Sequence, residues 1–149
     1  MGWLPASSGT FVRRVRQTLT NKTSFAGTSA EQWGTEEATL DDAVLPQLTN
    51  VTVYALLDGN IANSSTTANA VGIRTEISLD GGSTWDSGSL RYFRGESATA
   101  NAENDCTRVH QVTGTITGDI QARATAICGA GASAAYQLTD GVLYMEVVV

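Results

Sequence analysis

What this 149-residue chain has little of narrows it quickly. Charged side chains make up only 16% of it, below the roughly one quarter usual for a soluble domain. It has one lysine (Lys22) against eight arginines, one histidine (His110), two cysteines and two prolines. No apolar run approaches the ~20 residues that a membrane-spanning helix needs, so no membrane partner is expected. The opening MGWLPASSGT has no basic stretch leading into an apolar one, so no secretory signal peptide is expected either.

Each scarcity also removes chemistry. A Ser-His-Asp arrangement needs a nucleophile placed beside the histidine, and no G-x-S-x-G elbow is present. His110 sits between Val109 and Gln111 in a strand-like run and reads as a structural or surface residue. Cys106, His110 and Cys128 offer three ligands to zinc but no clear fourth. Two cysteines cannot make a disulfide scaffold; a single Cys106–Cys128 bridge and two free thiols both remain open. The glycine-rich run GAGASA at 129–134 has no βαβ unit around it and reads as a turn, not a dinucleotide loop. Glu76 and Asp80 share a strand face, but almost any outward strand face of an acidic protein offers such a carboxylate pair. The expectation is no catalytic residue, no metal and no cofactor.

Net charge is −6 and the sequence pI is near 4.6, which disfavours nucleic acid as a partner. Arginine is favoured over lysine at protein interfaces because its planar guanidinium is less strongly hydrated. The arginine excess therefore points to sheet edges covered by neighbouring subunits; a general compositional bias explains it equally well.

What is present is alternation. In 71–80, Val71, Ile73, Thr75, Ile77 and Leu79 point one way, and Gly72, Arg74, Glu76, Ser78 and Asp80 point the other, the period of a strand with one buried and one wet face. Residues 51–58 form a second strand, closed by Asp58-Gly59 and followed by a polar loop over 60–70. Residues 89–94 form a third, with Leu90 and Tyr92 or Arg91 and Phe93 facing in, then a polar loop over 95–105. A strand over 107–117 breaks near Gly114. Residues 120–128 alternate again, with an inner face of small residues after Ile120. After a loop reaching Gly141, the nearly all-apolar 142–149 belongs in mid-sheet, covered on both faces. Glu36, Glu37, Asp41 and Asp42 fit a solvated loop or short helical turn before Pro46 better than a calcium loop, whose spacing they lack. Short strands between Gly, Asp and Asn turns predict an all-β fold: a single-domain antiparallel β-sandwich or jelly roll. Residues 1–20 are expected to form an extended N-terminal arm and 21–149 the sandwich. Trp3, Phe11, Arg13, Arg14 and Arg16 are the arm's candidate partner-binding residues.

Residues 78–85, SLDGGSTW, resemble the Asp-box, S-x-D-x-G-x-T-W, a hairpin motif repeated in sialidases and related propellers. The resemblance covers eight residues and all five specifying positions: Ser78, Asp80, Gly82, Thr84 and Trp85. It implies a structural hairpin away from any catalytic centre, in which Asp80 accepts hydrogen bonds from turn amides and Trp85 packs beneath. A looser resemblance runs through Gly118–Arg123 and Leu138–Glu146. These stretches are similar to the last two strands of jelly rolls of the C1q and tumour-necrosis-factor kind, and to small structural proteins of tailed-phage particles. That resemblance implies a homotrimer and a non-enzymatic virion protein, most simply a capsid decoration (cement) protein. Its partners would be its own copies and the major capsid protein or other virion proteins, on particles assembled in the host cytoplasm. A tail, collar, baseplate or fibre component is the alternative within the virion. A carbohydrate-binding module, with Trp33, Trp85 or Tyr136 stacking on sugar rings, is the alternative outside it.

Overall fold

The computed structural model describes residues 12–25, 29–45, 50–63, 70–94, 103–128 and 136–149. Eleven strands follow in order: β1 (Val12–Thr18), β2 (Lys22–Phe25), β3 (Glu31–Gln32), β4 (Ala38–Leu40), β5 (Val51–Asn63), β6 (Ala70–Ser78), β7 (Asp86–Ser87), β8 (Arg91–Arg94), β9 (Glu103–Gly114), β10 (Ile120–Cys128) and β11 (Tyr136–Val148). One 3-10 turn, Asp42–Val44, separates β4 from β5. The first sheet runs β1-β11-β5-β9, with β2 continuing β1 along β11; the second runs β3-β10-β6-β7, with β4 also on β10 and β8 also on β6.

Taking β1 with β2, β3 with β4, and β7 with β8 as interrupted single strands leaves two four-stranded antiparallel sheets. The first strand then pairs with the last, the second with the next to last, and so inward, as in a long hairpin ribbon rolled up on itself. This is the jelly-roll form of the β-sandwich.

Alternation decides which side of each strand is core. Val53, Ala55, Leu57 and Ile61 of β5 are buried, as are Val71, Ile73, Thr75 and Ile77 of β6 and Ile120, Ala122, Ala124 and Ala126 of β10. In β11 the buried set changes parity, from Leu138 to Leu143, Met145 and Val147. The cause is a bulge: the register with β5 moves between Thr139↔Asn60 and Val142↔Asp58, so Asp140 and Gly141 lie opposite Gly59 alone. Asp140 takes a positive φ of 54° there. One extra residue lets both halves of β11 turn their apolar side inward.

The bulge also makes room for Trp33, which is fully buried. A Cβ on Gly59 would stand 2.6 Å from the Trp33 ring, and one on Gly141 would stand 2.9 Å from it. From the other side the Trp33 amide donates to the Ala124 carbonyl at 2.8 Å, beside the alanine strip of β10. Two glycines of the first sheet thus stand against one large ring, and β10 of the second holds its backbone.

Several sequence expectations are corrected. Gly59 does not close β5, and residues 59–63 are strand, because β9 and β11 both supply hydrogen-bonding partners there. Residues 103–105 are strand because they pair with β5, and 136–141 because they lie between β5 and β2. Residues 12–18 are no arm: they pair with β11 from Val12↔Val148 to Thr18↔Val142, so the sandwich reaches back at least to Val12. Trp3 and Phe11 lie outside the described residues. β11 is central in its sheet but its outer side is open, with Tyr144 exposed. The expected wet face of β6 is instead largely covered, since Gly72, Glu76 and Ser78 are buried. Leu90 and Tyr92 do not face in; both are exposed, over Gly72.

Cys106 is a free, buried thiol, and burial first, then Asp58 and Asp105, push its pKa up to about 12. No bridge to Cys128 is made. The zinc reading fails on geometry: residues four apart in a strand are ~13 Å from each other, so Cys106 and His110 cannot hold one ion.

The tight enclosure of Trp33 has a measurable consequence. Gly59→Ala should destabilise the domain by ~1–3 kcal/mol, the usual range for overpacking a core. A chemical-denaturation midpoint equal to that of the unsubstituted chain would contradict the packing described.

Candidate interaction surface

Three groups of polar side chains stand out, and two of them are internally satisfied. The first is the hairpin after β6. Ser78 Oγ donates to Asp80 Oδ1 at 2.7 Å and accepts from the Gly82 amide at 2.9 Å. Asp80 accepts from the Thr84 amide at 2.8 Å and the Thr84 hydroxyl at 2.6 Å. Gly81 and Gly82 adopt φ of 69° and 83°, which favours glycine at both places. Trp85 Nε1 donates to the Gly82 carbonyl at 3.1 Å. The Thr84 side chain and amide, then Ser78, hold Asp80 near a pKa of about 2. Backbone bonds Gly81 N to Asp119 O and Thr117 N to Leu79 O dock the turn onto the loop before β10.

The second group lies beside it on the outer side of β6 and β10. Glu76 is 2% exposed. Arg123 Nε donates to one of its oxygens at 2.6 Å; Arg74 Nη2 at 2.7 Å and the Ser87 hydroxyl at 2.9 Å reach the other. Burial raises the Glu76 pKa, but the hydrogen bonds from Arg123 and Ser87 and the charges of Arg123 and Arg74 outweigh it, so the net shift is downward. The Arg123 guanidinium also lies 3.9 Å over the Trp85 ring. Glu76 and Asp80 are therefore both occupied by internal donors, which suits a clamp and not a glycosidase acid-base pair. His110 Nε2 meets Asp86 Oδ1 at 2.6 Å, linking β9 to β7 across the seam between the sheets.

These contacts bear on the sugar-stacking residues. Trp33 is fully buried and one face of Trp85 is covered by Arg123, so neither offers a free platform. The Tyr136 side chain lies outside the described set.

The third group is the outer face of the first sheet, where the register sets side chains in rows. One row reads Arg14, Glu146, Tyr54, Gln111; the next reads Arg16, Tyr144, Leu56, Val109. All of these but Gln111, together with Val15 and Met145, line an open groove of about 600 Å³. Tyr54 is 38% exposed, Tyr144 41% and Val109 54%. Arg14 Nε pairs with Glu146 at 2.5 Å, and the Arg16 guanidinium lies 5.9 Å from the Tyr144 ring centre. The face thus carries its arginines on β1 and exposed aromatic or aliphatic side chains on β11, β5 and, at Val109, β9.

Of the predicted partner-binding residues, Arg14 and Arg16 line this groove, and Arg13 donates to the Val12 carbonyl at 3.3 Å. Tyr54, Leu56, Val109 and Tyr144 were not singled out by the sequence reading. The signal was there: β5 and β11 are apolar at outward as well as inward positions.

At the end of the sandwich, Asp41 accepts from the Ala43 amide at 2.8 Å and starts the 3-10 turn; Asp119 accepts from the Asp42 amide at 3.0 Å. Carboxylate oxygens of Asp41, Asp42 and Asp119 lie within 4.8 Å of one another. Val44 on the same turn is 54% exposed. Nearby in sequence, Glu36 accepts from the Thr20 hydroxyl and amide and from the Thr35 amide, and chiefly the Thr20 bonds bring it to a pKa of about 2.

No family model and no curated protein sequence matches the chain. Among solved structures it is similar to a chain of infectious bursal disease virus strain Gx, at 13% identity and a TM-score of 0.48, covering 94% of this chain and 32% of that one. Strain Gt of the same virus gives 12% identity and a TM-score of 0.45, over 92% of this chain and 33% of that one. A mutant VP2 protein of the virus in derived T=1 particles gives 13% and 0.44, over 92% and 31%. The chain spans about a third of the length of those chains, and the likeness is one of strand arrangement.

The depressed carboxyls give a pH dependence with a defined sign. Glu36 and Asp80 fall from ordinary values of 4.5 and 3.8 to about 2. Their contribution to stability is therefore full above about pH 4.5 and is lost as pH falls through about 2. Thermal unfolding should show a Tm drop in that window, and the double variant Glu36→Gln, Asp80→Asn should show a smaller drop. An unchanged drop would assign the acid sensitivity elsewhere.

Proposed function

We propose that this chain is a non-enzymatic structural protein of a virion, a decoration protein that docks on the outer surface of a phage head and stabilises it. Jelly rolls serve as capsid subunits, lectins and cupins, so the fold leaves the choice to its surfaces. A cupin-like metal centre needs clustered ligands inside the roll. This interior is filled by aliphatic side chains and Trp33, and His110 is bonded to Asp86 at the seam. Of the tryptophans a lectin would stack on, Trp33 is buried and Trp85 carries Arg123 on one face.

The observation that carries the reading is the outer face of the first sheet: exposed Tyr54, Tyr144 and Val109 beside Arg14 and Arg16, on a chain of net charge −6. Aromatic and arginine side chains around a small apolar centre are the composition of protein interfaces. Burial of such a face adds roughly 25 cal/mol per Å² of apolar surface to the shell it covers, which opposes outward pressure on the capsid. Residues 1–11, with Trp3 and Phe11, precede β1 in the sequence and belong to the same proposed contact. Self-association as a trimer on the particle fits the same role.

Purified chain added to separated phage heads and tails should sediment with heads and raise the temperature at which they release DNA. Sedimentation with tails alone would move the protein to the tail, collar or baseplate. Binding to neither would overturn the virion reading.

A further inference from the structure

We propose that the outer groove of the first sheet receives the 41–45 turn of a second copy of this chain, in a head-to-tail contact between unlike surfaces. The proposal rests on the reading of the chain as an assembling structural protein and names the surfaces by which copies meet.

The two surfaces are complementary in charge, and each offers apolar surface to the other. The groove has an apolar floor, Tyr54, Leu56, Val109 and Tyr144, and carries Arg14 and Arg16 against a single carboxylate, Glu146. The turn presents the opposite arrangement: one exposed apolar knob, Val44, beside Asp41 and Asp42, with Asp119 behind them. Three carboxylates held within 4.8 Å repel one another, and a guanidinium brought up by a neighbour relieves that repulsion. With Val44 in the groove, the carboxylates of the turn would be brought toward Arg16 and toward Arg14, whose Nε already pairs with Glu146, while the apolar floor is dried.

A twofold pairing of the groove face with itself lacks this match. It would bring four guanidiniums together with two carboxylates and leave the turn unpartnered. The groove lies on the outer side of the first sheet, and the turn follows β4 on the edge of the second. A contact between two such different places is heterologous, and heterologous contacts close into rings when the rotation between copies permits. A closed ring of copies is the expected species.

The test uses the full chain and three variants, Arg16→Glu, Asp42→Arg and the two combined, with mass in solution read by sedimentation equilibrium and the fold monitored by circular dichroism. Each single variant should weaken self-association ~10-fold or more, since it sets like charges together across the contact. The combined variant should recover it, because the charges are exchanged and matched again. Val44→Ser should weaken association without changing the charge. A monomeric parent chain, single variants that associate like the parent, or a combined variant no better than either single one would each overturn the proposal. Head co-sedimentation of the same proteins separates the two readings. A chain that assembles through this contact but binds no particle leaves the interface standing and removes the virion role. A chain that binds heads as a monomer does the reverse.

Discussion

The sandwich depends on the seating of one indole. Trp33 belongs to the segment between β3 and β4, yet it fills the space between the sheets under two strands far away in sequence. Two features make that space, the missing side chain at Gly59 and the bulge that sets Gly141 opposite it, while the backbone of Ala124 in β10 holds the Trp33 amide. Each of the two looks like a weakness in isolation. Glycine weakens a strand, and a bulge interrupts its ladder. Around a single large side chain they become mutually consistent, and close packing makes them interdependent.

A second constraint acts at the outer edge of the other sheet. β7 is only two residues long, and its pairing with β6 would be marginal alone. Glu76 fastens it through the Ser87 hydroxyl and gathers Arg74 and Arg123, while Arg123 covers Trp85 of the preceding turn. A buried carboxylate is costly unless its lone pairs are met, and here they are met by three side chains. The polar clamp therefore sets where the turn sits, and the turn in turn holds the loop before β10.

Among the described residues, nothing comparable covers the first sheet. Its central strands, β11 and β5, are apolar on the inner side because they face the core, but Tyr54, Leu56 and Tyr144 also stand on the outer side, where Tyr54 and Tyr144 are exposed. Outward aromatic side chains stand in register there with arginines alongside.

Much of the fold was legible from the order of residues. A period of two in 71–80 and 120–128 identified strands and their core faces, and that information is local: it needs only that successive side chains point to opposite sides. Turn chemistry in SLDGGSTW was equally local, since its donors and acceptors lie within eight residues. Polarity misled where pairing was long-range. Residues 59–63, 103–105 and 136–141 read as loops but are strands, because strands distant in sequence, on both sides or for 103–105 on one, pair with their backbone regardless of side-chain polarity. The arginines of β1 were visible, but their place beside Tyr54 and Tyr144 was not, since it follows from the register of β1 on β11 and β11 on β5. Sequence alone determined the all-β class, the principal strands and the scarcity of catalytic groups. Tertiary structure alone decided that Trp33 is core, that Glu76 is buried, and which side chains share the open face, because each depends on contacts between segments tens of residues apart.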